Sequence, residues 1–183
     1  MTGDSFISYC HFPTAIGPIG IAWSHQGVVR VQLPESTIKT TIQRLIGDFE
    51  QAKKAEPNNL WIMDAIHRIQ EHLLGKLQDF GHIPLDLRAA TPFFKRVYSA
   101  AQTIPAGQVK TYGELAIQIH APGAARAVGT ALGKNPVALL VPCHRIVSAG
   151  GKLGGFSAFG GLTTKKRLLL IEGCANDQFM HLH

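Results

Sequence analysis

Apolar residues in this chain never run together for more than five positions, and the longest run, Val137–Val141, lies between Pro136 and Pro142. A membrane-spanning helix needs about 20 such residues, so each apolar stretch has to be a short element buried against others. Leu168–Ile171 fits the same description. Hydrophobic residues make up 45% of the 183 residues. That is too apolar for a disordered chain, and the glycines show no triplet repeat of a collagen kind. A chain of this length builds one compact domain or two small ones. The start of the sequence lacks the basic-then-apolar pattern of a secretory signal. Three cysteines, Cys10, Cys143 and Cys174, are an odd number and do not suggest a disulfide framework. A reduced, cytoplasmic setting is therefore expected.

Residues 5–33 alternate in the manner of strands, with Ile19, Ile21 and Trp23 on one face, then Val29, Val31 and Leu33 after a Gly27 turn. This predicts an antiparallel hairpin. Ser36 is placed to cap a helix with Ile38, Ile42, Leu45, Ile46 and Phe49 on its buried stripe. A second helix is predicted from Leu60 to Leu74, and a short edge strand at Ile83–Leu87, where Pro84 is tolerated. Thr91-Pro92 opens a helix with a capping hydroxyl and a proline in the first helical position. Thr111-Tyr112-Gly113-Glu114 matches a capping box. The helix that it opens breaks at Ala121-Pro122-Gly123, and another follows from Ala124 to Leu132. Two short helices joined by a tight turn read as a helix-turn-helix. The second is rich in small residues (Ala125, Ala127, Gly129), which permit close backbone approach to another helix or to a nucleic acid groove.

Charge divides unevenly. Residues 1–88 carry eight bases and nine acids, a net of −1, while residues 89–183 carry ten bases and three acids, a net of +7. A one-sided basic region suggests a polyanionic partner, most often nucleic acid. The plain alternative is a basic surface kept for solubility. Lys165, Lys166 and Arg167 read as a solvated helix start.

The segment with chemical potential is Leu139 to Val147. An apolar strand is expected to lead through Pro142 into Cys143, His144 and Arg145. Thiolate is the nucleophilic form of cysteine, and neighbouring cationic or basic groups favour it. Adjacent residues of a strand point to opposite faces, so Cys143 and His144 cannot pair directly there. Either the chain turns sharply or a water bridges thiol and imidazole. A carboxylate is the usual group to orient such an imidazole, and Glu172, before the Gly173 helix end, is the natural candidate among the three acids of this half. An inert buried cysteine is the competing reading.

Pro142-Cys143-His144-Arg145 followed by Ile-Val resembles the active-site signature of the O6-alkylguanine-DNA alkyltransferases, the methylated-DNA–protein-cysteine methyltransferases. Thr111–Ala116, Ala124–Gly129, Asn135-Pro136 and Leu169–Gly173 fit the same family in order and spacing, so the resemblance covers residues 91–173. It implies an N-terminal α/β domain of ribonuclease H-like type (1–88), a winged-helix-like helix-turn-helix domain with a short active-site strand (89–173) and a tail (174–183). It implies double-stranded DNA containing O6-alkylguanine as the partner, bound through the minor groove by a monomer, with no membrane association and no cofactor. Some members of that family carry a structural zinc in the N-terminal half, but Cys10, His11, His25 and His82 show no CxxC or HxxxH spacing, so no metal is expected. The implied reaction is a single, irreversible transfer of the alkyl group to Cys143 after base flipping. His144 takes the thiol proton through a water and Glu172 orients His144. Tyr112 assists rotation of the base and donates to the purine ring. Arg126 fills the gap that the flipped nucleotide leaves, with Thr111, Ala125, Ala127 and Gly129 in the DNA-binding surface. Asn135 holds the turn beside the cysteine, Arg145 is structural, and Phe156 and Ser157 wall the base pocket.

The loop Gly155–Gly161 is two residues longer than in many relatives, and Phe156 stands where tyrosine is commoner. The rival within this resemblance is a non-catalytic alkyltransferase-like damage sensor, which carries tryptophan in place of the cysteine. Cys143 discriminates against it.

Overall fold

The structure is a computed structural model and describes residues 6–174. The expected tail lies, apart from Cys174, outside the described residues. The chain is a mixed α/β structure. Three strands, β1 (Ser8–Phe12), β2 (Ile19–Trp23) and β3 (Val28–Gln32), are followed by α1 (Ile38–Ile46), the two-residue β4 (Lys53–Lys54) and α2 (Leu60–Leu73). The sheet order is β3-β2-β1-β4, antiparallel except that β4 runs parallel to β1. The expected hairpin is β2–β3, but a bulge at Ala22/Trp23 pairs Trp23 with Val28. Val28 therefore enters the core in place of the predicted Val29, which is half-buried.

Two details of α1 differ from expectation. Thr37 is the cap, not Ser36, because the Thr37 hydroxyl accepts the Thr40 N–H while the Thr40 hydroxyl accepts the Thr37 N–H. That start turns Thr41 and Leu45 inward and leaves Ile38 exposed. Leu45 packs directly over Gly20 of β2, where an added Cβ would lie 2.9 Å from Leu45 Cδ2. The predicted edge strand at Ile83–Leu87 is reduced to one bridge, Leu85 with Val28. Pro84 has no N–H to continue a ladder, so pairing rests on the Pro84 carbonyl and the Asp86 N–H.

The second half contains α3 (Pro92–Gln102), β5 (Lys110–Thr111), α4 (Tyr112–Gln118), α5 (Ala125–Gly133), β6 (Ile146–Val147) and α6 (Leu162–Ile171), with β5 and β6 in parallel. Thr91 caps α3 ahead of Pro92, and Thr111 with Glu114 forms the predicted capping box of α4. The spacing predicts a buried stripe of Phe93, Val97, Ala100 and Ala101 on α3; the last three are buried together with Tyr98, while Phe93 is half-buried. The Tyr98 hydroxyl donates to the Ala131 carbonyl at 3.0 Å and ties α3 to α5.

A continuous apolar core runs through both halves, from Ile21 and Trp23 through Ile62 and Ile69 to Val97, Leu115, Val137 and Leu168. The edge of the sheet also bonds across, since the Val31 N–H donates to the Pro136 carbonyl at 2.9 Å. Among the described residues, no helix is long and apolar enough to cross a membrane.

Candidate active site

The reactive segment is a turn, not the expected strand. Leu139 has a left-handed φ of 70°, and the Val141 N–H closes back on the Val137 carbonyl. Asn135 holds both ends. Its Nδ2 donates to the Val141 carbonyl at 2.8 Å and its Oδ1 accepts the Val137 N–H at 3.0 Å. Pro142 then leads into one turn of 3-10 helix, Cys143–Arg145, before β6. Five apolar residues in a row favour a strand by composition, but two prolines and the Asn135 clamp set the geometry. The sharp turn separates the neighbouring side chains: Cys143 lines a cavity, while His144 and Arg145 are buried.

Helix α6 delivers Glu172 to the inner side of this turn. His144 Nε2 lies 2.9 Å from Glu172 Oε1, and Arg145 donates through Nε to Oε2 at 2.9 Å and through Nη2 to Oε1 at 2.8 Å. Arg145 also donates to the Ile104 carbonyl. Burial alone would push the Glu172 carboxyl up, but the donors from His144, His72 and Arg145 outweigh it and hold the group well below the usual carboxylate range. An ionised carboxylate only accepts, so His144 Nε2 carries a proton and Nδ1 is the free base atom. Nδ1 is buried and has no hydrogen-bond partner among the described residues. Burial lowers the His144 pKa, the Glu172 hydrogen bond opposes this, and the Arg145 charge lowers it further. The ring is therefore neutral and able to receive a proton at neutral pH.

Burial also raises the Cys143 pKa, while Asn135, the Lys165 charge and nearby backbone amides favour the thiolate. Lys165 is the plainest departure from the sequence reading, because it is fully buried instead of solvated. Its Nζ donates to the Ile146 carbonyl and, at 3.4 Å, to the Gly155 carbonyl. Burial brings its pKa down to about 8, against the upward pull of Cys143. His72, on α2, was not anticipated either. It is buried, with Nε2 2.9 Å from Glu172 Oε1. No local sequence pattern marks either residue, since both are assigned by partners far away in the chain.

The cavity beside Cys143 has a volume of about 380 Å³ and is lined by Asn135, Phe156, Ser157 and Ala158 from this half, and by Arg30 and Gln32 from β3. A smaller hollow of about 260 Å³, sharing Phe156 and Ser157, reaches Gly129 and Gly155. Tyr112 stands beside it, with its hydroxyl 3.5 Å from the Gly155 carbonyl and its ring against Gly154. Gly154 has a φ of +70°, and an added Cβ would lie 3.0 Å from Tyr112 Cε2 and 2.8 Å from Ser148 Oγ. Only glycine serves there.

The remaining predicted residues lie on the outer side. Arg126 and Ala127 are exposed on α5, with Ala125 and Gly129 half-buried beside them. The Thr111 hydroxyl is engaged by Glu114. Of the ten bases in this half, Arg145 and Lys165 are internal, so the surface excess rests on the others, Arg126 and Lys134 among them.

Residues 92–174 match the family described as 6-O-methylguanine DNA methyltransferase, DNA binding domain. A methylated-DNA–protein-cysteine methyltransferase of Mycolicibacterium paratuberculosis is 51% identical over 108 residues, 59% of this chain and 63% of that protein. One from Mycobacterium bovis is 39% identical over 167 residues, 91% of this chain and 92% of that protein. A crystal structure of Mycobacterium tuberculosis OGT in complex with DNA is similar with a TM-score of 0.76 at 35% identity, covering 94% of this chain and 99% of that one.

Proposed function

The chain belongs to the methylated-DNA–protein-cysteine methyltransferase family, and from that premise we propose that it repairs O6-alkylguanine in double-stranded DNA by taking the alkyl group onto Cys143. The observation that carries this reading is the juxtaposition of the Cys143 sulfur at a cavity with a buried His144–Glu172 pair behind it. The non-catalytic sensor reading is not favoured, because the nucleophile is present with its base.

The Cys143 thiol gives its proton, through a water, to His144 Nδ1. Glu172 holds the ring and stabilises the imidazolium. The sulfur attacks the alkyl carbon, a C–S bond forms and the C–O6 bond breaks. The electron pair returns to the purine, which takes up a proton and leaves as ordinary guanine. Tyr112 donates to the ring and offsets the charge that develops there. Lys165 favours the thiolate from the other side. Nucleophile and leaving group are sufficient for this chemistry, so no cofactor enters it. The product is a thioether, whose C–S bond is not readily displaced, so each molecule acts once.

A target atom inside the duplex is out of reach, so the nucleotide has to be extruded at a cost of a few kcal/mol. In this reading α5 enters the minor groove, about 6 Å wide, where Ala125, Ala127 and Gly129 permit close approach beside Thr111. Arg126 fills the vacated stack. Phe156 and Ser157 wall the pocket for the flipped base, with Asn135 holding the turn. The chain acts as a cytoplasmic monomer, with a ribonuclease H-like unit at 1–88 and a winged-helix-like unit at 89–173. Intact mass spectrometry after incubation with an O6-methylguanine duplex tests the proposal. One added CH2 unit on Cys143 is expected, and none on a Cys143→Ala variant that still binds the duplex. An adduct on that variant would assign the acceptor elsewhere.

A further inference from the structure

Glu172 Oε1 accepts from His72 Nε2 as well as from His144 and Arg145. His144 and Arg145 belong to the same short turn, and a carboxylate held by them alone would move as that turn moves. His72 belongs to α2, in the opposite half of the chain, and supplies a fixed reference. We propose that His72 is a positioning residue for alkyl transfer, its Nε2–H pinning the Glu172 oxygen that orients His144. The proposal rests on alkyl transfer at Cys143 as set out above.

The His72 proton can be assigned from its partners. The backbone N–H of Gln78 donates to Nδ1 at 3.1 Å, so Nδ1 is an acceptor and the proton of the neutral ring sits on Nε2. That N–H faces a carboxylate that can only accept. The ring is held in place by packing against Phe80, with centroids 5.2 Å apart. His72 is 1% exposed and Glu172 3%, so water does not replace the bond if it is lost. Losing a donor makes the carboxylate more basic, which stabilises the His144 imidazolium and delays the appearance of the neutral base. The titratable and charged groups around Glu172 are His72 from α2, His144 and Arg145 from the turn, and the Cys174 thiol beyond α6.

The test is the single-turnover rate of transfer from an O6-methylguanine duplex, measured across the acid and neutral range at saturating protein. His72→Phe keeps the ring packing and removes the donor, His72→Met removes it with a flexible side chain, and His72→Gln keeps a donor. The donor-less variants are expected to bind the duplex as wild type does but to transfer about ten- to a hundredfold more slowly. Their acid limb should move to higher pH, and His72→Gln should recover most of the loss. A donor-less variant with wild-type rate and an unmoved limb overturns the proposal, as does an equal loss in all three at every pH. Imidazole nitrogen shifts of the wild-type protein give a reading independent of variant folding. The Nε2-protonated tautomer of His72 is expected, and the Nδ1 tautomer or a charged ring overturns the proposal. Failure of wild type to form the adduct would instead count against alkyl transfer itself.

Discussion

Replacing Glu172 with glutamine changes one oxygen to an amide nitrogen, and its effect can be worked out from the donors that surround it. Four N–H groups point at the carboxylate: His72 Nε2, His144 Nε2, and Nε and Nη2 of Arg145. A glutamine amide offers one acceptor oxygen and brings two donors of its own. In the best orientation the oxygen stays at the Oε1 position, and the amide nitrogen then faces Arg145 Nε, donor against donor. Arg145 is left a buried cation without its counter-charge, which costs about 3–5 kcal/mol. That is a large part of the 5–15 kcal/mol typical of a whole domain. Urea unfolding at low temperature should therefore show a midpoint well below wild type.

Transfer should suffer separately, because the amide oxygen can still accept from His144 Nε2 but lacks the charge that stabilises the protonated ring. A positioned general base contributes about 10²–10⁴ in rate, so a loss of at least about a hundredfold is expected in single-turnover transfer to a labelled duplex. The double variant Arg145→Met/Glu172→Gln separates the two effects, because it removes the cation and keeps the oxygen that accepts from His72 and His144. Removing both charges of a buried pair together is often neutral or stabilising, so stability should largely return while transfer does not. A Glu172→Gln protein that transfers within twofold of wild type would remove Glu172 from the mechanism. A double variant as unstable as the single one would refute the charge argument.

Lys165 should reveal its burial through pH. Its pKa falls from 10.5 to about 8 on folding, so between those values the unfolded chain binds a proton that the folded chain does not, and stability rises with pH there. The difference corresponds to about 3 kcal/mol. The stability gap between wild type and Lys165→Met should therefore shift in favour of wild type by about that amount from neutral pH to about pH 10, and a gap independent of pH would refute it. Arg126→Ala should slow repair of duplex far more than reaction with free O6-benzylguanine, because only the duplex has a gap to fill. Equal losses in the two assays would reject the gap-filling role.

What could be read in advance and what could not divides by the range of the interaction. Helix starts at Thr91 and Thr111 depend on hydroxyls and amides three residues apart, and both appear where the pattern puts them. The Cys143-His144-Arg145 turn and Glu172 were legible as candidates, since a nucleophile, a base and one of few available carboxylates stand out by type. Val137–Val141 misled because composition favours a strand, while the turn is imposed by Asn135 and the flanking prolines. Lys165 misled for the converse reason: a Lys-Lys-Arg run reads as solvated, yet the carbonyls of Ile146 in β6 and of Gly155 in the loop after it give its ammonium an internal site.

His72 is the furthest case. Its partner is a hundred residues away, and no spacing rule reaches that far. A histidine on an apolar helix face is ordinarily one more polar group that the core has to satisfy. Its importance follows from how unevenly the donors fall on Glu172: Oε1 takes three, from His72, His144 and Arg145, while Oε2 takes one. The oxygen that faces His144 is therefore the one that His72 also holds, and with both groups buried no water takes over a lost bond. If alkyl transfer runs through His144, a helix far from Cys143 in the chain then helps to set the orientation of the base.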